Sequence, residues 1–255
     1  MLAQYLDQLE RDPTKDFGTE FVRVSNLERK LVDEYGFDAI CLIFRNNNSD
    51  NYSALGNFPN ECPWQYLNST DVATFINTVF APISSDIPNL INALKKRCSY
   101  IYAEKTDSEW LLHYFLDIAL HDGRPYYRIY SGGAPNENPK PNSCLNEYDW
   151  SIPSDLKRLY AVHDGFGPIL GSDAIKVMSK TMDPICKEHN LALPQAYHFR
   201  DLLEFHPDGG GNGQFFYRTG TSLTTVDWDH ETWEISRHQG FLEYIDQRLS
   251  QLDEE

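Results

Sequence analysis

The sequence lacks the features of a secreted, disulfide-held or membrane-spanning protein. Its five cysteines are odd in number and widely spaced, and no C-x-x-C pair occurs, which argues against a disulfide framework and a zinc knuckle. No apolar run approaches the roughly 20 residues of a membrane span. The first residues lack the basic and apolar regions of a signal peptide, so we expect a cytoplasmic protein that does not bind membranes.

Basic residues are also scarce. The chain has 22 Lys and Arg against 38 Asp and Glu, for a net charge of −16, and residues 145–255 have 9 against 19. Binding to nucleic acid needs clustered Lys and Arg, because its affinity comes from counterion release, so we expect no direct contact with DNA or RNA. An acidic surface suits a basic protein partner, although the same charge also serves solubility alone.

The common catalytic and cofactor motifs are missing. The chain contains no H-E-x-x-H and no G-x-S-x-G, which are typical of zinc proteases and serine hydrolases. The glycine-rich segment 209–213 is followed by Gln214 and Phe215 rather than Lys and Ser. It therefore predicts a hairpin turn and not a phosphate-binding loop. We expect no catalytic residues and no cofactor.

One acidic cluster has two possible interpretations. Asp227, Asp229 and Glu231 alternate along the chain beside His230, and a strand would place the three carboxylates on one face. Such a face could bind a divalent cation or serve a metal-dependent hydrolase. Alternatively, the acids are solvated or face a partner. No second carboxylate cluster completes a site, so we predict no metal.

The composition, 41% hydrophobic and 13% aromatic, predicts a folded chain with a sizeable core. Residues 132–149, rich in Gly, Pro, Asn and Ser, predict a linker or long loop between an N-terminal α/β domain (1–131) and a second domain (150–255). Predicted helices cover 19–35, 69–80 (capped by Ser69), 88–97, the segment from the cap Asp107 to near Gly123, 153–162, 183–190 and 241–249. Predicted strands cover 38–44, 99–103, 126–130, 198–205, 214–218 and 223–228.

The C-terminal part resembles a known family in the order and spacing of four segments. These are a helix opened by Pro153 and ending in an Asp-Gly turn (152–166), a strand with an acidic, glycine-rich turn (199–212), a strand ending in Asp229-His230 (226–231), and a closing helix (241–245). Over residues 150–250 the chain resembles the SUKH superfamily, the Smi/Knr-type proteins.

The resemblance implies an α+β fold whose central, mostly antiparallel sheet is flanked by helices. In bacteria, members of the superfamily are commonly immunity proteins that bind and block a toxin, often a nuclease or another enzyme that acts on nucleic acid. Fungal relatives are regulatory scaffolds, and enzymatic activity is not typical. A toxin-binding immunity protein is therefore the expected function, with a scaffold or a metal-dependent hydrolase as alternatives.

The residues expected to bind the partner are acids and aromatic anchors at the turns of the second domain. Electrostatic complementarity improves the rate and specificity of association, and large aromatic side chains supply much of the affinity. The predicted carboxylates and anchors are Asp208, Asp227, Asp229, Glu231, Trp228 and Trp233.

Overall fold

The chain divides into two compact units. In this computed structural model the described residues are 21–23, 52–54, 58, 60–67, 71–105, 108–119, 125–189, 193, 197–207, 212–220, 222–229, 231–232, 234–238 and 240–251. The first unit comprises Met1–Ala81, Asn89–Ala134 and Leu249–Glu255, and the second Pro82–Pro88 and Pro135–Arg248. The main division thus falls inside the segment 132–149, but residues 82–88 and 249–255 depart from the two contiguous domains that the sequence suggested.

The first unit is an antiparallel sheet with helices. Its elements are β1 (Phe21–Arg23), β2 (Tyr52–Ala54), α1 (Val72–Val79), α2 (Pro88–Arg97), β3 (Cys98–Lys105), β4 (Trp110–Ala119) and β5 (Pro125–Gly133). The strand order is β1-β5-β4-β3-β2, and each described pair is antiparallel. This arrangement is α+β, whereas the sequence suggested an α/β domain.

Helix α1 forms because one of its faces is apolar and its N-terminus is capped. Asp71, rather than the expected Ser69, is the N-cap, and its side chain accepts a hydrogen bond from the Thr74 N–H at 2.8 Å. Phe75 and Ile76 are buried. Helix α2 confirms the prediction for 88–97.

Strand β4 corrects the helix predicted after Asp107. Leu112, Tyr114 and Leu116 are buried at alternate positions, as expected for a strand. Phe115, on the opposite face, is buried as well. Because both faces of this central strand are apolar, the sequence shows no clean alternation and imitates a helical stripe.

Two further predictions concern the N-terminal part of the first unit. Phe21–Arg23 is a strand, so the helix predicted over 19–35 is wrong at these residues. The remainder of that segment and the predicted strand over 38–44 lie outside the described residues.

The second unit contains another antiparallel sheet, with helices on both of its faces. Its elements are α3 (Ser143–Glu147), α4 (Ser154–Tyr160), β6 (Lys176–Val177), α5 (Met178–His189), β7 (Leu202–Pro207), β8 (Gly213–Thr219), β9 (Ser222–Trp228), β10 (Ile235–His238) and α6 (Phe241–Ser250). The strand order is β10-β9-β8-β7-β6. The expected α+β fold with flanking helices is therefore confirmed.

The two faces of this sheet have separate cores. Phe215 and Trp228 lie in one core with Met178 and Cys186 of α5. On the other face, the rings of Phe205 and Phe216 each lie 5.0 Å from the ring of Phe241 at the start of α6. A sheet covered on both faces explains why β7 and β8 are so rich in aromatic residues.

Much of the segment predicted as a linker is an ordered part of the second unit. Asn142 caps α3 by accepting a hydrogen bond from the Leu145 N–H at 3.0 Å, and Cys144 and Leu145 are buried. Asn136 donates through its N–H to the Tyr160 carbonyl at 2.7 Å. Residues 135–149 are therefore an ordered part of the second unit, which agrees with a long loop rather than with a linker.

The turn after α4 is held by a single carboxylate. Asp164 accepts hydrogen bonds from the Ser172 N–H at 2.6 Å, the Ser172 hydroxyl at 2.7 Å and the Asn136 amide at 2.7 Å. Gly165 has a φ of +80° and belongs to the predicted Asp-Gly turn. A positive φ explains why glycine occupies this position.

No helix within the described ranges is long and apolar enough to cross a bilayer. The four cysteines in those ranges, Cys62, Cys98, Cys144 and Cys186, are buried and form no disulfide.

Candidate functional site

The predicted acidic cluster falls on the turn that joins β9 to β10. Asp229 Oδ1 accepts hydrogen bonds from the N–H groups of Glu231 at 2.9 Å and Thr232 at 3.3 Å. The Asp229 N–H donates to the Glu234 carbonyl at 3.0 Å. An aspartate that bonds backbone groups two or three residues ahead stabilises a turn. Asp229 therefore organises the turn, while Glu231 and Glu234 are exposed to solvent.

The three carboxylates do not share a strand face, contrary to expectation. Strand β9 ends at Trp228, so the alternation stops after Asp227, and Asp229 and Glu231 belong to the turn. Among the described residues, no group of three His, Cys, Asp or Glu side chains is placed to hold a metal ion. The geometry thus contradicts the one-face arrangement that a hydrolase site at Asp227, Asp229 and Glu231 requires.

Trp228 is not an exposed anchor. Its residue is 1% exposed, and its ring packs against Phe199 at 5.8 Å and Phe215 at 6.1 Å between centroids. Val226, two residues earlier, faces the same core. The expectation that Trp228 anchors a partner is wrong, because its side chain is buried in the core. Asp208 and Trp233 lie outside the described residues.

Asp227 points to the other face of the sheet and meets a histidine that the sequence analysis missed. Asp227 Oδ2 lies 2.6 Å from His238 Nε2, and the His238 ring packs 5.0 Å from the ring of Tyr244 in α6. Burial, and secondly the charge of Asp227, raise the pKa of Tyr244 above its ordinary value. Asp227, His238 and Tyr244 therefore connect the last two strands with the closing helix.

This face also holds buried polar atoms. Gln214 lies opposite Asp227 in the β8–β9 ladder, and Gln214 Oε1, Thr225 Oγ1, Asp227 Oδ1 and the Tyr244 hydroxyl have no hydrogen-bond partner among the described residues. Buried polar groups are normally paired with protein or ordered water.

Strand β10 carries the second missed residue, Arg237. Its guanidinium lies 5.8 Å from the ring centre of Tyr197 and 5.7 Å from that of Tyr217, and Arg237 Nε donates to the Tyr197 hydroxyl at 3.2 Å. Cation–π contacts of this kind hold a cation against aromatic faces. Arg237 is thus directed onto the α5 side of the sheet, on which Tyr217 and Trp228 lie.

The glycine-rich segment 209–213 joins two paired strands. Pro207 at the end of β7 lies opposite Gly213 at the start of β8, and the pair is antiparallel. This pairing agrees with the predicted hairpin. Most of the connecting residues, 208–211, lie outside the described ranges.

The first unit has a polar chain of its own. His113 Nδ1 lies 2.7 Å from Ser131 Oγ, and His113 Nε2 lies 3.0 Å from Glu104 Oε2. Hydrolases with a serine, histidine and acid use the same three groups, but there the hydroxyl meets Nε2 and the acid meets Nδ1. Here the nitrogens are exchanged, and the three residues come from adjacent strands. We therefore infer that the Glu104–His113–Ser131 contacts stabilise the sheet.

No family model, no curated protein and no solved structure matches this chain. The resemblance to the SUKH superfamily consequently rests on the sequence segments quoted above. The acidic β9–β10 turn, defined here by Asp229, Glu231, Thr232 and Glu234, and the adjoining strand β10 are the features from which a function can be inferred.

Proposed function

We propose that this chain is an immunity protein of a bacterial polymorphic toxin system. It acts in the cytoplasm, where it binds a basic cognate toxin and blocks its active site. The toxin is a nuclease or another enzyme that acts on nucleic acid, because the active-site cleft of such an enzyme is positively charged to hold phosphates. An acidic protein can occupy that cleft in place of the nucleic acid.

The observation that carries this proposal is the acidic β9–β10 turn. Asp229 holds the turn through two hydrogen bonds to backbone N–H groups, and Glu231 and Glu234 stand exposed on it. A turn that is already ordered loses little conformational entropy when a partner binds. Two exposed carboxylates beside the hydrogen bonds of Asp229, within residues 145–255 that carry 9 basic and 19 acidic residues, suit a basic surface.

The Asp227–His238 pair supports the turn from inside the sheet. It connects β9 with β10, so the two strands that flank the acidic turn are joined by side chains as well as by backbone hydrogen bonds. We therefore retain Asp229 and Glu231 as partner-binding residues, treat Asp227 as a positioning residue, and add Glu234.

The test begins with the tagged full-length protein as bait in a lysate of the source organism, and mass spectrometry identifies what remains bound. One basic toxin domain at one-to-one stoichiometry supports immunity. A set of host regulatory proteins indicates a scaffold of the same fold, and an empty capture contradicts both partner-binding functions.

The captured toxin then serves in a charge-reversal experiment. Replacing Glu231→Lys and Glu234→Lys together should weaken binding about tenfold or more, mainly through a slower association rate, and the loss should shrink as salt is added. Glu147→Lys together with Glu188→Lys is the control matched in charge, because both glutamates are exposed and lie on α3 and α5 rather than on the turn. Equal losses in both variants would show that net charge, not this turn, matters.

A further inference from the structure

Strand β10 is the outermost strand of the second sheet. The strand order places β9 on one side of it, and in the part of the chain that the structure describes no strand pairs with its other side. Ser236 and Arg237 are exposed. An edge strand of this kind presents unpaired N–H and C=O groups, which can pair with an extended segment of another chain.

The register shows which backbone groups face outward. The Asp229 N–H donates to the Glu234 carbonyl, and hydrogen-bonded pairs alternate with non-bonded pairs along an antiparallel ladder. Ser236, opposite Asp227, is therefore bonded to β9. Ile235 and Arg237 lie at the non-bonded positions, so their N–H and C=O groups point away from β9.

The side chains around this edge leave it accessible and make it acidic. The Arg237 guanidinium is held on the rings of Tyr197 and Tyr217, which keeps its length and charge on a face of the sheet rather than across the edge. Glu231 and Glu234 are exposed immediately before β10. These acids attract a basic strand and repel an acidic one.

We propose that an extended basic segment of the toxin adds to the sheet as a further strand beside β10. Its backbone bonds to the outward N–H and C=O groups of Ile235 and Arg237, and its Lys or Arg side chains meet Glu231 and Glu234. In strand addition, the backbone supplies affinity and the alternate side chains supply specificity. This inference rests on the proposed function and specifies how the partner is bound.

The experiment uses the full-length protein and a defined probe, a capped six-residue peptide that alternates Lys and Val. Hydrogen exchange by NMR should slow about tenfold or more at the amides of Ile235 and Arg237 when the peptide binds, because these amides gain hydrogen bonds. The matched peptide that alternates Glu and Val should leave both exchange rates unchanged. Absence of protection with the Lys peptide, or equal protection with both peptides, would overturn the inference.

Two substitutions at one position separate the backbone from the side chain. Arg237→Pro removes an outward N–H, a change that edge strands tolerate, and should weaken peptide binding about tenfold. Arg237→Ala keeps the N–H and should bind within about threefold of the native protein. Equal affinities of the two variants would contradict strand addition, and the wild-type exchange measurement decides the matter if Arg237→Pro does not fold.

The captured toxin distinguishes this inference from the proposed function. A toxin that binds the Arg237→Pro and Arg237→Ala variants equally well would leave the immunity function standing and remove strand addition. Conversely, an empty capture together with protection of Ile235 and Arg237 by the Lys peptide would remove the immunity function and leave the edge as a basic-strand acceptor.

Discussion

Asp227 Oδ2 and His238 Nε2 lie 2.6 Å apart, so the penultimate residue of β9 is bonded to the last residue of β10. Asp227 stands opposite Ser236 and His238 opposite Thr225, which makes the pair a diagonal contact across two strands. Diagonal neighbours on one sheet face are within reach of long side chains. The edge strand of the proposed interface is thereby fixed to its neighbour.

The Asp227–His238 contact should appear as a coupling energy. In a double-mutant cycle, Asp227→Ala and His238→Ala should be non-additive by about 1 kcal/mol, because either change alone removes the same partly exposed hydrogen bond. The free energy of unfolding in urea measures the cycle. A parallel cycle of Asp227→Ala with Glu188→Ala should be additive within about 0.5 kcal/mol, because Glu188 is exposed on α5, which packs on the opposite face of the sheet. Additivity in the first cycle would show that the contact contributes nothing to stability.

Asp229 should contribute to the free energy of unfolding through the hydrogen bonds that its Oδ1 accepts, and not through its negative charge. Asp229→Asn keeps the Oδ1 acceptor for the N–H groups of Glu231 and Thr232, and should change the free energy of unfolding by less than about 0.5 kcal/mol. Asp229→Ala removes the acceptor and should cost about 1 kcal/mol. Chemical denaturation compares the two variants, and equal losses would mean that the turn depends on the charge.

The same two variants also separate folding from binding. Asp229→Asn lowers the negative charge of the turn without disturbing its backbone, so it should weaken toxin binding more than it lowers stability. If Asp229→Asn leaves both quantities unchanged, then Asp229 only shapes the turn and Glu231 and Glu234 supply its charge.

Elements with a single apolar face could be predicted from the sequence. Helices α1, α2 and α6 each show such a stripe, and proline or a cap marks several of their ends. These signals are local, so a short window of sequence contains them. The strands of the second sheet that were predicted, β7, β8 and β9, also have local alternation or aromatic runs.

The errors arise where long-range pairing decides the structure. Strand β4 is buried on both faces, as its neighbouring residues Tyr114 and Phe115 show, so its sequence lacks the alternation of a half-buried strand. Strand β10 was missed because Ile235 is its one apolar residue, and an exposed edge strand needs no more. Trp228 was predicted to be exposed because acidic residues flank it in the sequence. Its alternation with Val226 already indicated that it faces the core.

Gly165 and Gly220 allow backbone strain to be separated from a clash. A Cβ at Gly165, where φ is +80°, would lie 2.8 Å from the Gly171 nitrogen, whereas at Gly220, with φ of +61°, nothing lies within 4 Å. Gly220→Ala should therefore cost about 1 kcal/mol from strain alone. Gly165→Ala should cost about 2–4 kcal/mol, since the clash adds to the strain. Thermal or urea unfolding measures both, and equal costs would show that the chain relaxes around Gly165.

Alkaline pH should destabilise the second unit through its buried tyrosines. Burial is the main cause that raises the pKa of Tyr160 and Tyr244 above the ordinary value of 10.0. Above about pH 10 the unfolded chain loses these phenolic protons while the native chain keeps them. The folded state then binds more protons, so its stability is complete below the unfolded pKa and falls by up to about 1.4 kcal/mol per pH unit for each group as the pH rises.

Replacing Tyr160 or Tyr244 with phenylalanine should show how much each residue contributes to the loss of stability at alkaline pH. Tyr160 donates to the Leu170 carbonyl at 2.8 Å, so Tyr160→Phe should cost about 1 kcal/mol at pH 7. The Tyr244 hydroxyl is buried without a partner in the described ranges, so Tyr244→Phe should be neutral or stabilising there. Each variant should flatten the loss of stability above about pH 10, as measured by urea unfolding with tyrosinate absorbance. A destabilising Tyr244→Phe would instead indicate that the hydroxyl bonds to Asp227 or to water. An unchanged alkaline slope would mean that the tyrosines ionise as freely in the native chain as in the unfolded one.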